Sequence, residues 1–153
     1  AMAEAHQSDL LFNYFTEIGI IAQLSATMFE RQLPEGLTLA QFSVLNWFTR
    51  VDDEATPGRL AKAFQVTGGA MTNTLRKLQS KGLIKVEPDP HSGRKKRVTM
   101  TEAGRRLRER AIAAAMQLFR EHQSGMDMEI IKRQLAELQD IRQYLDEYRY
   151  REN

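Results

Sequence analysis

Two short runs of residues carry groups whose types and spacing could do chemistry. The first is Thr67, Gly69, Thr72, Asn73, Arg76 and Lys77, short hydroxyl and amide groups beside long cationic donors. The second is Arg94, Lys95, Lys96 and Arg97, four consecutive cations behind Ser92 and Gly93. Neither run contains a nucleophile beside a base, a P-loop or a dinucleotide fingerprint. What they share is hydrogen-bond donation toward oxygen, which is the chemistry of recognising phosphates and base edges.

The charge distribution agrees. Between Pro57 and Arg110 there are fourteen lysines and arginines against four acids, whereas the rest of the chain holds eight against sixteen. The overall charge of +2 therefore conceals a basic block inside an acidic chain. Such a block suits a polyanion, the plainer alternative being a solvated basic face with no partner. An anionic membrane fits less well, because the block contains Gly, Pro and turn signals where one long amphipathic helix would be needed.

Several classes drop out. The 153 residues include no Cys, which removes disulfides, thiolate metal sites, iron–sulfur clusters and cysteine nucleophiles. His6, His91 and His122 are far apart and lack ligand spacing, so neither a metal nor any cofactor is expected. His122 suits the end of a helix, and His91 is open to phosphate contact or to solvent alone. Asp52-Asp53 reads as a solvated turn without a partner base, and no enzyme is expected. The apolar stretch from Leu10 to Leu33 is broken by Asn13, Glu17, Gln23, Glu30 and Arg31, too often for a transmembrane span or a signal-peptide core. The expectation is a soluble, cytoplasmic protein with no membrane partner.

The elements that must position these groups follow from periodicity and caps. Leu11, Phe15, Ile18, Ile21, Leu24 and Met28 predict a helix over Ser8 to Arg31, stopped by Pro34-Glu35-Gly36. Thr38 and Gln41 form a capping-box pattern opening a second helix that buries Phe42, Leu45 and Phe48 and ends in the acidic turn Asp52-Asp53-Glu54. Thr56-Pro57 opens a short helix to Phe64, with Leu60, Ala61 and Phe64 inward. After a tight turn at Gln65-Val66, Thr67 caps a fourth helix whose apolar edge is Met71, Leu75 and Leu78, with Gly82 as its left-handed C-cap. Leu83 to Glu87 and Lys96 to Met100 read as strands around a turn rich in Pro, Asp, Ser and Gly. Thr101 caps a long helix bearing Leu107, Ala111, Ala114, Leu118 and His122. A last helix from about Asp127 places Ile131, Leu135, Leu138, Ile141, Leu145 and Tyr148 near a 3.5-residue repeat.

Two short helices joined by a tight turn, followed by a basic hairpin, make a winged helix-turn-helix. Because Met71, Leu75 and Leu78 commit one edge of the fourth helix to the core, Gly69, Thr72, Asn73 and Arg76 face outward, with Lys77 at the flank. Gly68-Gly69 has two readings: close backbone approach to a phosphate, or a merely tolerated weak helix start. Arg94 is the best wing contact, since its guanidinium fits a narrow minor groove and phosphate oxygens alike. Lys95 and Arg97 are read as alternating faces along the return strand, so that the two do not reach a duplex together.

These fragments resemble the MarR (multiple-antibiotic-resistance regulator) family of winged-helix transcription regulators. The resemblance runs through Leu37-Thr38-Leu39-Ala40-Gln41-Phe42-Ser43-Val44-Leu45, Leu60-Ala61-Lys62-Ala63-Phe64 with Val66-Thr67, and Leu78-Gln79-Ser80-Lys81-Gly82-Leu83-Ile84. It is clearest in Asp89-Pro90-His91-Ser92-Gly93-Arg94 and in Val98-Thr99-Met100-Thr101-Glu102-Ala103-Gly104. Three positions depart from the family pattern. Ser92 stands where an acidic residue commonly orients the wing arginine, Val86 where an arginine is frequent (Lys85 being its possible substitute), and Asn73 where a basic residue is common.

The fold expected is mainly α with a small β-hairpin wing, an α+β winged helix-turn-helix in one domain spanning 1–153. Within it, 38–100 is the DNA-binding lobe, and 8–33 and 101–150 are dimerisation helices. The terminal helices carry more apolar surface than a small core can cover, so a second copy is the economical partner, the alternative being a monomeric bundle. A twofold homodimer would set two recognition helices one DNA turn apart, ~34–36 Å, on an inverted-repeat operator in double-stranded DNA. In this reading Arg76 and Asn73 read bases, Thr67 and Lys77 hold phosphates and Arg94 enters the minor groove. The resemblance further implies a ligand-relieved repressor with a small aromatic or phenolic effector, for which Phe15, Phe29, Trp47, Phe48 and Met116 are the candidate lining residues. The rival is a winged-helix module that binds protein without sequence-specific DNA binding.

Overall fold

The computed structural model describes residues 1–152. The chain packs as two compact units, Ala1–Ala115 and Met116–Asn153.

In the first unit, α1 (Met2–Glu30) starts six residues before the expected Ser8, because Met2-Ala3-Glu4-Ala5 are strong helix formers that extend the helix without burial. Pro34–Gly36 is a single 3-10 turn in which Glu35 and Gly36 take φ of 56° and 67°. Thr38 closes the expected capping box: its Oγ1 accepts the Gln41 N–H at 3.1 Å, and its own N–H donates to Gln41 Oε1 at 3.2 Å. This opens α2 (Leu39–Arg50), which buries Phe42, Val44, Leu45, Trp47 and Phe48.

The acidic turn after α2 is shorter than expected. Glu54–Ala55 form β1, a two-residue strand too brief to show a period of two in the sequence. Then α3 (Pro57–Phe64) and α4 (Gly68–Ser80) form the helix-turn-helix, capped by Thr56 and Thr67, which accept the Arg59 and Ala70 amides at 3.1 Å. Gln65 makes the turn at φ 53°. Gly82, at φ 73°, ends the fourth helix in a Schellman motif: the Gly82 amide donates to Gln79 and the Leu83 amide to Leu78.

The wing strands β2 (Ile84–Asp89) and β3 (Ser92–Met100) run closer to the tip than expected, leaving Pro90 and His91 as the turn. Asp89 Oδ1 holds that turn by accepting the His91 N–H at 2.8 Å. The antiparallel sheet has the order β1-β3-β2, with Ala55 opposite Val98 and Val98 opposite Val86. Its inner face (Ala55, Ile84 and Val98) is buried against the helices. Thr101 begins α5 (Glu102–His122), accepting the Gly104 N–H and donating to the Gly82 carbonyl at 2.7 Å. On α5 the buried stripe is Leu107, Ala111, Ala115 and Leu118, with Ala115 in place of the expected Ala114.

In the second unit, α5 finishes, a 3-10 turn spans Gln123–Gly125, and α6 covers Met128–Glu152. Asp127 Oδ1 caps the last helix by accepting the Glu129 and Ile130 amides. Ile131, Leu135, Leu138, Leu145 and Tyr148 are exposed along it, as Leu11, Phe15, Ile21 and Leu24 are along α1. The apolar surplus expected of both terminal helices is therefore present on the single chain.

Candidate nucleic-acid interface

The two edges of α4 separate as the spacing predicts. Met71, Leu75 and Leu78 are 3%, 4% and 0% exposed, while Gly69, Thr72, Asn73, Arg76 and Lys77 lie in solvent. On that outer edge Arg76 Nη2 donates to Asn73 Oδ1 at 3.3 Å, so the two expected base readers already touch. Thr67 uses one oxygen lone pair for its cap and keeps its hydroxyl proton for an outside acceptor. A Cβ at Gly68 or Gly69 would meet open space, and neither has a positive φ. Nothing inside the chain requires glycine at these two positions.

On the wing, Arg94, Lys95 and Lys96 are exposed. Arg97 is not. Its guanidinium lies 3.3 Å from Glu87 and 3.9 Å from Glu54, and its side chain is half-buried. Expected to face nucleic acid, it is instead an ion-pair residue of the sheet's outer surface. Glu54 reaches it from β1, the strand hidden in the sequence. The expected alternation of Lys95 and Arg97 is corrected as well: residues two apart on a strand share a face, and it is the acids around Arg97 that set the two apart. Lys85, the possible substitute for the arginine missing at Val86, is held by Glu87 at 2.7 Å. Val86 itself is half-buried on the sheet's inner face.

The electrostatics of this flank are those of paired surface charges. Lys85 first, and Arg97 after it, hold the Glu87 carboxyl below the ordinary glutamate range. Arg59 donates to Asp52 at 2.8 Å and lowers that carboxyl in the same way, while its guanidinium lies 5.0 Å from the centre of the Trp47 ring. A cleft of about 280 Å³ opens here between Arg59, Asp89, His91 and Lys96. Its acids and bases nearly balance, so it does not extend the positive surface. Among the described residues no three His, Asp or Glu side chains form a metal-binding group, and no helix is long and apolar enough to cross a membrane.

Of the five residues expected around an effector, the four in the first unit do not line one pocket. Trp47 and Phe48 are core residues stacked edge to face, and Phe29 packs edge to face on Phe42. Phe15 is exposed fourteen residues earlier on the same continuous helix, which puts it ~21 Å from Phe29 along the axis. Met116 is exposed at the start of the second unit. Neither the cleft at Arg59 nor a second one beside Ala26, Thr27, Glu30 and Arg31 is lined by any of the five.

A family model described as MarR family matches residues 35–95, from the turn before α2 to the tip of the wing. Over that stretch the chain is similar to the MarR family. A structure of a MarR variant from E. coli is 26% identical, with a TM-score of 0.73 over 82% of this chain and 93% of that one. The same variant complexed with operator DNA is 27% identical, with a TM-score of 0.66 over 86% and 97%. BpsR of Bordetella bronchiseptica, whose DNA binding is described as regulated by 6-hydroxynicotinic acid, shares the fold at 22% identity, with a TM-score of 0.71 over 84% and 98%. No curated protein matches the sequence. MarR-family proteins are winged-helix transcription regulators, not enzymes.

Proposed function

We propose that this protein is a MarR-family regulator that binds double-stranded DNA sequence-specifically as a homodimer, on an inverted-repeat operator, and represses transcription until a small ligand relieves it. The observation that carries the reading is the division of α4. Its apolar edge is buried, its outer edge presents Thr72, Asn73, Arg76 and Lys77 to solvent, and the wing adds an exposed arginine, Arg94. Gly68 and Gly69 favour close approach of a phosphate to the first turn, since packing gives them no other reason to be glycine. The MarR relative complexed with operator DNA supports the same use of this lobe.

Dimerisation is supported by the exposed apolar edges of α1 and α6, which a second copy would cover. Ligand control by a small aromatic or phenolic effector is supported by BpsR, whose DNA binding is described as regulated by 6-hydroxynicotinic acid. The test is selection of bound sequences from random duplexes, followed by affinity measurements across salt. Enrichment of an inverted repeat with half-sites about one turn apart, and a steep fall in affinity with salt, is the expected result. Absence of binding to any duplex at low salt would leave the protein-interaction rival.

A further inference from the structure

Among the described residues, Gln41 is the one buried polar side chain, at 5% exposure. Buried polar atoms need partners, and this one has two from different parts of the fold. Its Oε1 accepts the Thr38 N–H at the start of α2 and also the Lys81 ammonium at 3.2 Å, just past the last turn of the recognition helix α4. At the same start of α2, the Leu39 N–H donates to Glu30 Oε2 at 2.8 Å, from the last turn of α1. One helix N-terminus is thus held on one side by the N-terminal helix and on the other, through Gln41, by the end of the helix expected to read DNA. The Schellman turn at Gly82 and Leu83 follows directly on Lys81, so a tug on that lysine moves the α4–wing junction as a unit.

We infer that Gln41 is a positioning residue that couples the orientation of α1 to that of the recognition helix, setting the pose in which α4 meets a duplex. The last clause rests on the proposed DNA binding; the coupling itself does not. A neutral amide suits the role, because it completes the capping box and receives Lys81 without burying a net charge.

Two measurements on the full-length protein test it. The first uses no DNA: amide hydrogen exchange at Gly82 and Leu83. Glu30→Ala is expected to speed exchange there about threefold in the Gln41 protein and to have no effect in a Gln41→Met background, whose melting confirms that it is folded. Unchanged exchange at Gly82 and Leu83 in every variant overturns the coupling. The second compares a duplex selected from random DNA with a scrambled duplex. Gln41→Met is expected to lower the preference about fivefold with an unchanged salt slope, and Gln41→Glu, which keeps both bonds, to restore it. Lys81→Met should match Gln41→Met; if it instead weakens both duplexes equally and lowers the salt slope by about one, Lys81 is a phosphate contact and the positioning role fails. A protein that binds neither duplex refutes the proposed function, and the exchange result alone then decides the coupling.

Discussion

Arg97 of β3 lies directly across the ladder from Glu87 of β2, and the two side chains meet at 3.3 Å. Glu54 of β1 approaches the same guanidinium from the other side, so the fourth cation of the wing's return strand is already neutralised by the sheet that carries it. Three residues earlier, Arg94 has neither acid beside it and stands exposed.

These neighbours predict opposite phenotypes for two arginines in one run. Arg94→Ala should weaken binding to all duplexes and lower the salt slope by about one, with little change in melting temperature. Arg97→Ala should leave the slope alone and lower stability by ~0.5 kcal/mol, the scale of a surface ion pair. Anisotropy titrations across salt, with thermal melts of the same proteins, read both. Equal slopes for the two variants would show that their roles had been misassigned.

Asn73 and Arg76 should behave as a linked pair of base readers. Asn73→Ala is expected to change which base is preferred at one operator position, by ~1–3 kcal/mol, and to free Arg76 for a new contact. Arg76→Ala should then cost a different amount in the Asn73→Ala background than in the natural protein. A double-mutant cycle on the selected duplex and its single-base variants measures this. Strict additivity would mean that their contact does not persist on DNA.

Gly104 should tolerate no side chain. It is buried in the first turn of α5, where a Cβ would collide with the backbone carbonyl of Leu83 and crowd the Met100 side chain. A backbone carbonyl cannot swing away as a side-chain tip can, and this one also accepts the Thr101 N–H that anchors the start of the helix. Gly104→Ala is expected to destabilise the fold by ~1–3 kcal/mol in chemical denaturation. At Gly68 and Gly69, where a Cβ meets open space, alanine should keep or raise stability and, in the proposed function, weaken DNA binding.

Acid should release the wing's outer ion pairs. Lys85 and Arg97 hold Glu87 below its ordinary value of 4.5. A carboxyl with a depressed pKa in the folded state adds stability that is present above the unfolded value and disappears as pH falls through the folded one. Melts of the natural protein and of Glu87→Gln, taken from about pH 6 to about pH 3, should therefore converge toward the acid end. The effect is small, because the ion pairs lie at the surface, where solvent screens them. A difference that widened with acid would contradict the pairing.

Much of this protein could be read along the chain because its signals are local. The helices α2, α3 and α4 each open on a side chain that caps its own next turn, Thr38, Thr56 or Thr67, and these bonds span three residues. The buried edge of α4 recurs at helical spacing, so its exposed edge was legible too. What escaped was non-local. A two-residue strand has no period, so Glu54 could be known as the neighbour of Arg97 only once β1 lay beside β3. The bond between Gln41 and Lys81 joins residues forty apart, and the distance between Phe15 and Phe29 became decisive only when a continuous helix held them apart. Local hydrogen bonds and periodic burial are written in neighbouring residues. Which charges cancel, and which aromatics meet, depends on elements that touch only after the chain has closed on itself.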